Sequence, residues 1–172
     1  MRKGLLLTVA LLTTLVFARP ASAQISDQRL GEKVVDSIHR YSRYSIFDDV
    51  NIYIENRNVV LTGKVTAPTK KDDIGRRVSQ IDGVKSLRND IEVLPVSQQD
   101  ATLRSLAASR IYNYPAFWRY AQLADPPIHI IVEHSRITLT GAVESQVDKM
   151  LAQSLLDFSG VFSVENKLRV AP

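Results

Sequence analysis

Histidine is the residue type of this 172-residue chain that most readily suggests a metal or acid–base site. His129 and His134 are five positions apart along a predicted hairpin, so we expect their side chains to face different ways. His39 lies in a different part of the chain, and the sequence has no cysteine to complete a ligand set. We therefore predict no metal site.

Catalytic signatures of other kinds are also missing from the sequence. The adjacent carboxylates at 48–49 and at 72–73 are spaced too closely to converge on one substrate from a single face. There is no Gly-rich phosphate loop, no nucleophile motif and no histidine convincingly paired with a carboxylate. We expect a protein that is not an enzyme and that needs no cofactor.

Aromatic and arginine residues concentrate in one stretch, Arg110–Tyr120, which we call the aromatic segment. Such residues suit a bilayer interface, where rings lie at the acyl-chain boundary and guanidinium groups meet the headgroups. Packing of Tyr114 and Phe117 into a small core is the alternative, and the sequence leaves both open. The candidate lipid- or partner-binding residues are Arg110, Tyr112, Phe117, Trp118, Arg119 and Tyr120.

The elements that must position these residues come from a sequence repeat. Residues 50–65 recur as 128–143 with an offset of 78, and residues 82–93 recur as 159–170 with an offset of 77. Two copies of one small module therefore account for most of the chain, which favours binding or scaffolding over a single catalytic centre.

Each copy shows the same succession of periodic patterns. A helix pattern, with Leu30, Val34, Ile38 and Tyr41 on one face, recurs as Leu103, Ala107, Ile111 and Tyr114. A hairpin of two alternating strands, a second helix and a final strand follow. We predict an α+β fold of two tandem α-β-β-α-β modules, each a three-stranded mixed sheet with two helices on one face. The second copy also carries five extra residues within 116–127, before its hairpin.

Glycine and asparagine recur at equivalent places in both copies. Gly63 and Gly141 are expected at a bulge or a close approach in the second strand, and Gly83 and Gly160 at the end of the second helix. An inward or rim-facing amide is expected at Asn89 and at Asn166, bonded to nearby backbone. These six residues are predicted to be structural.

The N-terminus has the three-part pattern of a signal peptide. Arg2 and Lys3 precede an apolar run, and Ala21-Ser22-Ala23 provides small residues for cleavage after Ala23. Removing residues 1–23 leaves 19 basic and 18 acidic residues, a near-neutral balance that disfavours nucleic acid as a partner. The expected boundaries are 24–94 and 101–172 for the modules and 95–100 for the linker. We expect an exported chain that has no transmembrane segment after cleavage and, lacking cysteine, is not a lipoprotein.

The repeated pattern resembles the BON domain, named for bacterial OsmY and nodulation proteins. The motif V-x-L-T-G-x-V, a helix, and then G-V-x-x-V-x-N-x-L-x-V is matched over most of 27–94 and 100–170. The resemblance, with an OsmY-like tandem arrangement, implies a periplasmic protein that binds anionic phospholipid or envelope surfaces and supports envelope integrity or stress tolerance. The alternative is a chaperone-like holdase, or an interaction adaptor for envelope or secreted proteins. The resemblance supplies no catalytic residues.

Overall fold

Two α+β modules follow each other in the computed structural model, which describes residues 21–171. The predicted signal peptide, 1–23, falls outside these residues except for its last three. The first module consists of α1 (Ala21–His39), β1 (Asp49–Glu55), β2 (Asn58–Val65), α2 (Pro68–Ser79), β3 (Ser86–Asn89) and β4 (Glu92–Val93). The second consists of α3 (Gln98–Tyr112), a 3-10 turn (Pro115–Phe117), α4 (Trp118–Ala121), β5 (Ile128–Glu133), β6 (Arg136–Val143), α5 (Gln146–Ser154), β7 (Ser163–Asn166) and β8 (Arg169–Val170).

Both sheets have the predicted mixed topology. In the first, β1 pairs antiparallel with β2, and both β3 and β4 pair parallel with β2. In the second, β5, β6, β7 and β8 repeat this arrangement. The predicted third strand is thus two short segments in each module. The α+β prediction is confirmed.

The break between these two short strand segments is held by one side-chain amide in each module. The Asn89 side chain donates to the Lys71 carbonyl at 3.0 Å and accepts from the Ile91 amide at 3.3 Å. Asn166 donates to the Lys149 carbonyl at 2.7 Å in the same way. Each amide therefore ties the final strand to the second helix of its module.

The hairpin turns place two consecutive residues at positive φ, as a two-residue turn between twisted strands requires. These are Asn56 and Arg57 in the first module, at 51° and 64°. The Asp27 carboxylate accepts hydrogen bonds from both of their backbone amides, at 2.8 and 2.9 Å. An aspartate of α3, Asp100, does the same for the second hairpin. Asp27 lies within α1, which begins at Ala21, so its carboxylate serves the hairpin and not the start of the helix.

The glycines at 63 and 141 allow a close approach between strands. A Cβ on Gly141 would lie 1.9 Å from the Pro127 carbonyl oxygen, and one on Gly63 would lie 2.1 Å from that of Asp49. Both have φ near 100°, where a side chain is strained. The neighbour that needs the space is the backbone at the start of the paired strand, since Asp49 begins β1 and Pro127 directly precedes β5. Gly83 and Gly160 also have positive φ, in the loop after the second helix of each module.

Each module has its own apolar core between its helices and its sheet. The predicted inward faces of α1 and α3 are buried, apart from Tyr114, which lies beyond the end of α3 and is 40% exposed. On α5 the buried side is set by Asp148 and Ala152, and Val147 is 69% exposed. No helix within residues 21–171 combines the length and the hydropathy needed to cross a bilayer.

Candidate functional site

The aromatic segment contributes residues both to the core and to the surface. Its C-terminal part folds as the 3-10 turn and α4, which press Phe117 and Tyr120 into the core of the second module. Phe117 is 0% exposed and Tyr120 is 4% exposed. These two candidates therefore cannot contact a lipid or partner directly in this conformation, and they belong to the core alternative.

Arg119 and Tyr120 form a polar network that holds α4 against α5. Arg119 pairs with Asp148 and Glu144, and the Tyr120 hydroxyl donates to Asp148 at 3.0 Å and accepts from the Glu144 amide at 2.8 Å. Burial alone would raise the pKa of Asp148, but hydrogen bonds from Ser145 and Tyr120 and the charge of Arg119 hold it below its ordinary value. The network makes Arg119 chiefly a structural residue, although its side chain is 44% exposed.

The first module has a corresponding ion pair, in which the positions of the carboxylate and the cation are exchanged. We call the ion pair of each module its anchor. Asp48 is fully buried, and its carboxylate accepts from Ser45, from the Thr66 amide at 2.8 Å and from Lys70 at 2.5 Å. Lys70 and Asp148 occupy equivalent positions of the repeat, 78 residues apart. The cation therefore lies on α2 in the first module, as Lys70, and on α4 in the second, as Arg119, which precedes the hairpin. Sequence reasoning missed Asp48 because its repeat equivalent is a proline, Pro126.

Tyr112 is half-buried and caps a strand edge. Its hydroxyl donates to the Ile128 carbonyl at 2.6 Å, and burial raises the pKa of the phenol. Arg110 is exposed on α3, and its guanidinium lies over the Phe158 ring, 4.4 Å from the centroid. Of these two candidates, only Arg110 is exposed, whereas the Tyr112 hydroxyl is bonded to the backbone.

Two aromatic rings at the end of α3 form the exposed surface that we call the aromatic tip. Tyr114 is 40% exposed and Trp118 is 55% exposed. The Trp118 indole donates to the Asn113 carbonyl at 3.2 Å, which fixes the ring beside the helix end. Leu106, 45% exposed, lies one turn before Arg110 on α3. Two amphipathic rings thus lie just beyond the end of α3, and an exposed arginine, Arg110, lies in the last turn of that helix.

The two modules contact each other through the segment that precedes β1. The Ile46 carbonyl accepts from the Ile130 amide at 2.7 Å, and the Asp48 carbonyl receives the His129 Nδ1–H at 2.6 Å. Phe47 packs against the core of the second module. A turn of the first module, residues 45–48, therefore lies against the edge of β5, and the hydrogen bonds of Asp48 hold that turn in place.

Charged and aromatic groups line the inter-module groove, which has a volume of about 1060 Å³. Lys64 pairs with Glu133 across it, and this hydrogen bond raises the pKa of Lys64. Tyr44 lies between His39 and His129, with ring centroids 5.8 and 5.7 Å away. The sequence did not predict that histidines of the two modules would lie against the same tyrosine ring. Among residues 21–171, no three histidine, aspartate or glutamate side chains are grouped so as to hold a metal ion.

Comparison with known proteins gives one family match. The BON domain profile matches residues 26–95 and 117–172. No curated protein matches the chain. Two solved structures of CdsD, a structural protein of the Type III secretion system of Chlamydia trachomatis, are 12% identical in sequence. Their TM-scores are 0.32 and 0.33; the alignments cover 87% and 84% of this chain and 67% and 93% of theirs. Likeness at this level carries no functional argument.

Proposed function

This chain belongs to the BON domain family, and from that premise we propose that it is a non-enzymatic envelope protein that associates with anionic phospholipid through the aromatic tip. The observation that carries the proposal is the exposure of Trp118 and Tyr114 just beyond the end of α3, the helix whose last turn carries the exposed Arg110. Neither ring is needed to complete the core, since Phe117 and Tyr120 fill that role. An indole, a phenol and a guanidinium in one place match the chemistry of a headgroup region.

The positive charge of Arg110, on the helix that ends at the aromatic tip, supports selectivity for anionic lipid. Arg119 is neutralised locally by Asp148 and Glu144, whereas no carboxylate pairs with Arg110 among residues 27–171. Each basic side chain near an anionic surface contributes about 1 kcal/mol, which corresponds to about fivefold in affinity. The attraction is weak and screened by salt, so we propose reversible association rather than permanent anchoring.

Export and domain boundaries are part of the same proposal. We infer that residues 1–23 are removed on passage to the periplasm and that the mature modules comprise residues 24–94 and 101–172, joined by 95–100. The support is the sequence pattern at the N-terminus and the start of α3 at Gln98. Mass spectrometry of the exported protein is expected to give an N-terminus at Gln24, and retention of residues 1–23 would contradict the inference.

The experiment for lipid binding uses the single tryptophan of the chain. Because Trp118 is 55% exposed, its emission starts near that of indole in water and has room to shift to the blue. We expect that shift with phosphatidylglycerol vesicles, not with phosphatidylcholine vesicles, and its loss in high salt. Co-sedimentation then compares Trp118→Ala and Arg110→Ala with the parent chain.

Tyr53→Ala is the matched control, because Tyr53 is 61% exposed on the first module and remote in sequence from the aromatic tip. We expect Arg110→Ala to weaken binding about fivefold and Trp118→Ala to weaken it more, with Tyr53→Ala unchanged. Equal binding by all four proteins would remove the aromatic tip from the proposal. If none sediments with either vesicle, the holdase or adaptor function takes the place of lipid binding.

A further inference from the structure

Three arginines of the first module lie around one tyrosine and one aspartate, where the chain leaves α1 beside α2. The Tyr41 hydroxyl donates to the Asp73 carboxylate at 2.7 Å, and Arg76 pairs with the other oxygen of that carboxylate at 3.1 Å. The guanidinium of Arg77 lies over the Tyr41 ring, 5.0 Å from its centroid. Arg43 follows Tyr41 by two residues and is exposed. We call these five residues the arginine cluster.

The arginine cluster has more positive than negative charge. The hydrogen bond from Tyr41, and then the charges of Arg76 and Arg43, hold the pKa of Asp73 below its ordinary value although partial burial opposes this. Within residues 27–171, Asp73 is the only carboxylate that pairs with any of the three arginines. One carboxylate therefore serves three guanidinium groups, which leaves two positive charges in excess.

All four charged members of the arginine cluster are replaced by uncharged residues in the second module. At the offsets of the repeat, the equivalents of Arg43, Asp73, Arg76 and Arg77 are Ala116, Leu151, Ser154 and Leu155. Three of these four equivalents pack against the core of the second module. Uncharged side chains are thus enough to pack this part of the fold, so packing does not explain the charges of the first module.

Two of the arginines are held in place by the side chains beneath them. Tyr41 is 6% exposed, so the ring under Arg77 is itself fixed. A guanidinium that stacks on a ring keeps its N–H groups in its own plane, where they are free to bind another group. Arg76 gives one terminal nitrogen to Asp73, and its side chain is 65% exposed, which leaves its other donors in solvent. Donors held in this way lose less entropy when a ligand binds.

We propose that the arginine cluster binds the phosphate group of a phosphate monoester. Guanidinium groups match phosphate oxygens in bidentate pairs, and a monoester has a charge of about −1.5 to −2 at pH 7, which matches the excess charge of the cluster. The phosphate group belongs either to a small soluble molecule or to a lipid headgroup, and the test separates these two sources. The site lies on the first module and does not rest on lipid binding by the aromatic tip.

Glycerol phosphate, a soluble monoester, is the first probe, and the full mature chain is the receptor. Titration at constant ionic strength, followed by nuclear magnetic resonance, is expected to give saturable shifts of the Nε–H signals of Arg76 and Arg77. Dimethyl phosphate is a diester with about one negative charge fewer. We expect it to bind at least fivefold more weakly, because the Coulombic attraction is smaller.

Variants compare the loss of one charge from the arginine cluster with the loss of one charge elsewhere on the same module. We expect Arg76→Gln and Arg77→Gln each to weaken glycerol phosphate binding at least threefold. Asp73→Asn keeps an acceptor for the tyrosine hydroxyl but removes the negative charge, so it should strengthen binding at least twofold. Lys33→Gln and Glu32→Gln are the matched controls, because both side chains are exposed in the middle of α1, and each should change the affinity less than about 1.5-fold.

A vesicle experiment separates the two sources of the phosphate group. Trp118→Ala serves as the background, because it removes the exposed indole of the aromatic tip. Co-sedimentation compares phosphatidic acid vesicles, whose headgroup is a monoester, with phosphatidylglycerol vesicles, whose headgroup is a diester. Preference for phosphatidic acid that Arg76→Gln weakens at least threefold supports the proposal with a lipid headgroup as the ligand. Saturable shifts with glycerol phosphate, without that preference, support it with a soluble ligand.

Two outcomes would overturn the proposal. One is the absence of saturable shifts at millimolar glycerol phosphate together with equal sedimentation by the two kinds of vesicle. The other is equal affinity of Arg76→Gln and Lys33→Gln for the monoester, since the attraction would then come from the net charge of the module and not from the arginine cluster.

Discussion

Replacing Asp48 by asparagine removes a buried carboxylate that three residues of the first module share. Asp48 is 0% exposed and accepts hydrogen bonds from Ser45, Thr66 and Lys70. Asparagine keeps the shape but places an NH₂ group against donors, and it leaves the ammonium of Lys70, 13% exposed, without a counter-charge. Removing one partner from a buried ion pair costs about 3–5 kcal/mol. A typical domain has a free energy of unfolding of about 5–15 kcal/mol, so we expect a large loss of stability.

Urea denaturation followed by circular dichroism measures this loss. The control is Asp49→Asn, because within residues 27–171 the Asp49 carboxylate makes only a 3.5 Å hydrogen bond with Asn51. We expect its free energy of unfolding to stay within about 0.5 kcal/mol of the parent. Adding Lys70→Met to Asp48→Asn removes the stranded charge and should recover at least about 1 kcal/mol. Because the Asp48 segment also holds the Ile46 carbonyl on β5, amide exchange at Ile130 should accelerate in the single variant.

The reasoning is refuted if Asp48→Asn costs less than about 1 kcal/mol, since a buried pair cannot be broken so cheaply. It is also refuted if the double variant is no more stable than the single one, because the penalty would then not come from the uncompensated lysine.

Three further predictions concern the second module. Tyr120→Phe leaves the Glu144 amide and Asp148 without the hydroxyl and should lower the free energy of unfolding by about 1–3 kcal/mol in urea; no change would mean that water replaces the hydroxyl. Gly141→Ala brings a Cβ within 1.9 Å of a carbonyl oxygen at φ 99° and should cost more than about 2 kcal/mol by thermal unfolding, and a tolerated alanine would show that the strand can shift. The lowered pKa of Asp148 means that its contribution to stability is complete above about pH 4 and is lost as pH falls through the folded value. Asp148→Asn should therefore have a lower free energy of unfolding than the parent at pH 7, and this difference should be smaller at pH 3. Urea denaturation at the two pH values measures it, and an equal difference at both would rule out titration of Asp148 as the cause.

The repeated parts of the chain were predictable because a feature that recurs in both copies is constrained by the same structure in both. An apolar residue that recurs at the same offset, such as Val34 with Ala107, is constrained by packing in both modules. The glycines at 63 and 141 carry the same signal for backbone conformation. Local pattern and tertiary structure agree at these positions, so a single sequence was enough.

The structure of the parts that do not recur was harder to predict from the sequence, for a physical reason. Phe117, at the end of the 3-10 turn, and Tyr120, in the four-residue helix α4, face the core, while Trp118 faces outward. Elements this short have too few residues to show a periodicity. Docking of the modules depends on Ile46 and Asp48, which have no counterparts of the same type in the other copy. Contacts made once, between distant parts of the chain, leave no pattern to detect.

The carboxylate and the cation occupy exchanged positions in the two anchors. This difference affects how a chain with two such similar halves avoids exchanging parts while it folds. If the loop carrying Asp48 met the helix carrying Asp148, two buried carboxylates would face each other, and the reverse exchange would set Arg119 against Lys70. Tandem repeats are prone to this kind of misassembly, because the strands and helices of one copy resemble those of the other. Each wrong pairing here is repulsive while each correct one is attractive, which selects the right partner. A chain in which both modules carried the same anchor would lose that discrimination and should refold with a larger misassembled fraction.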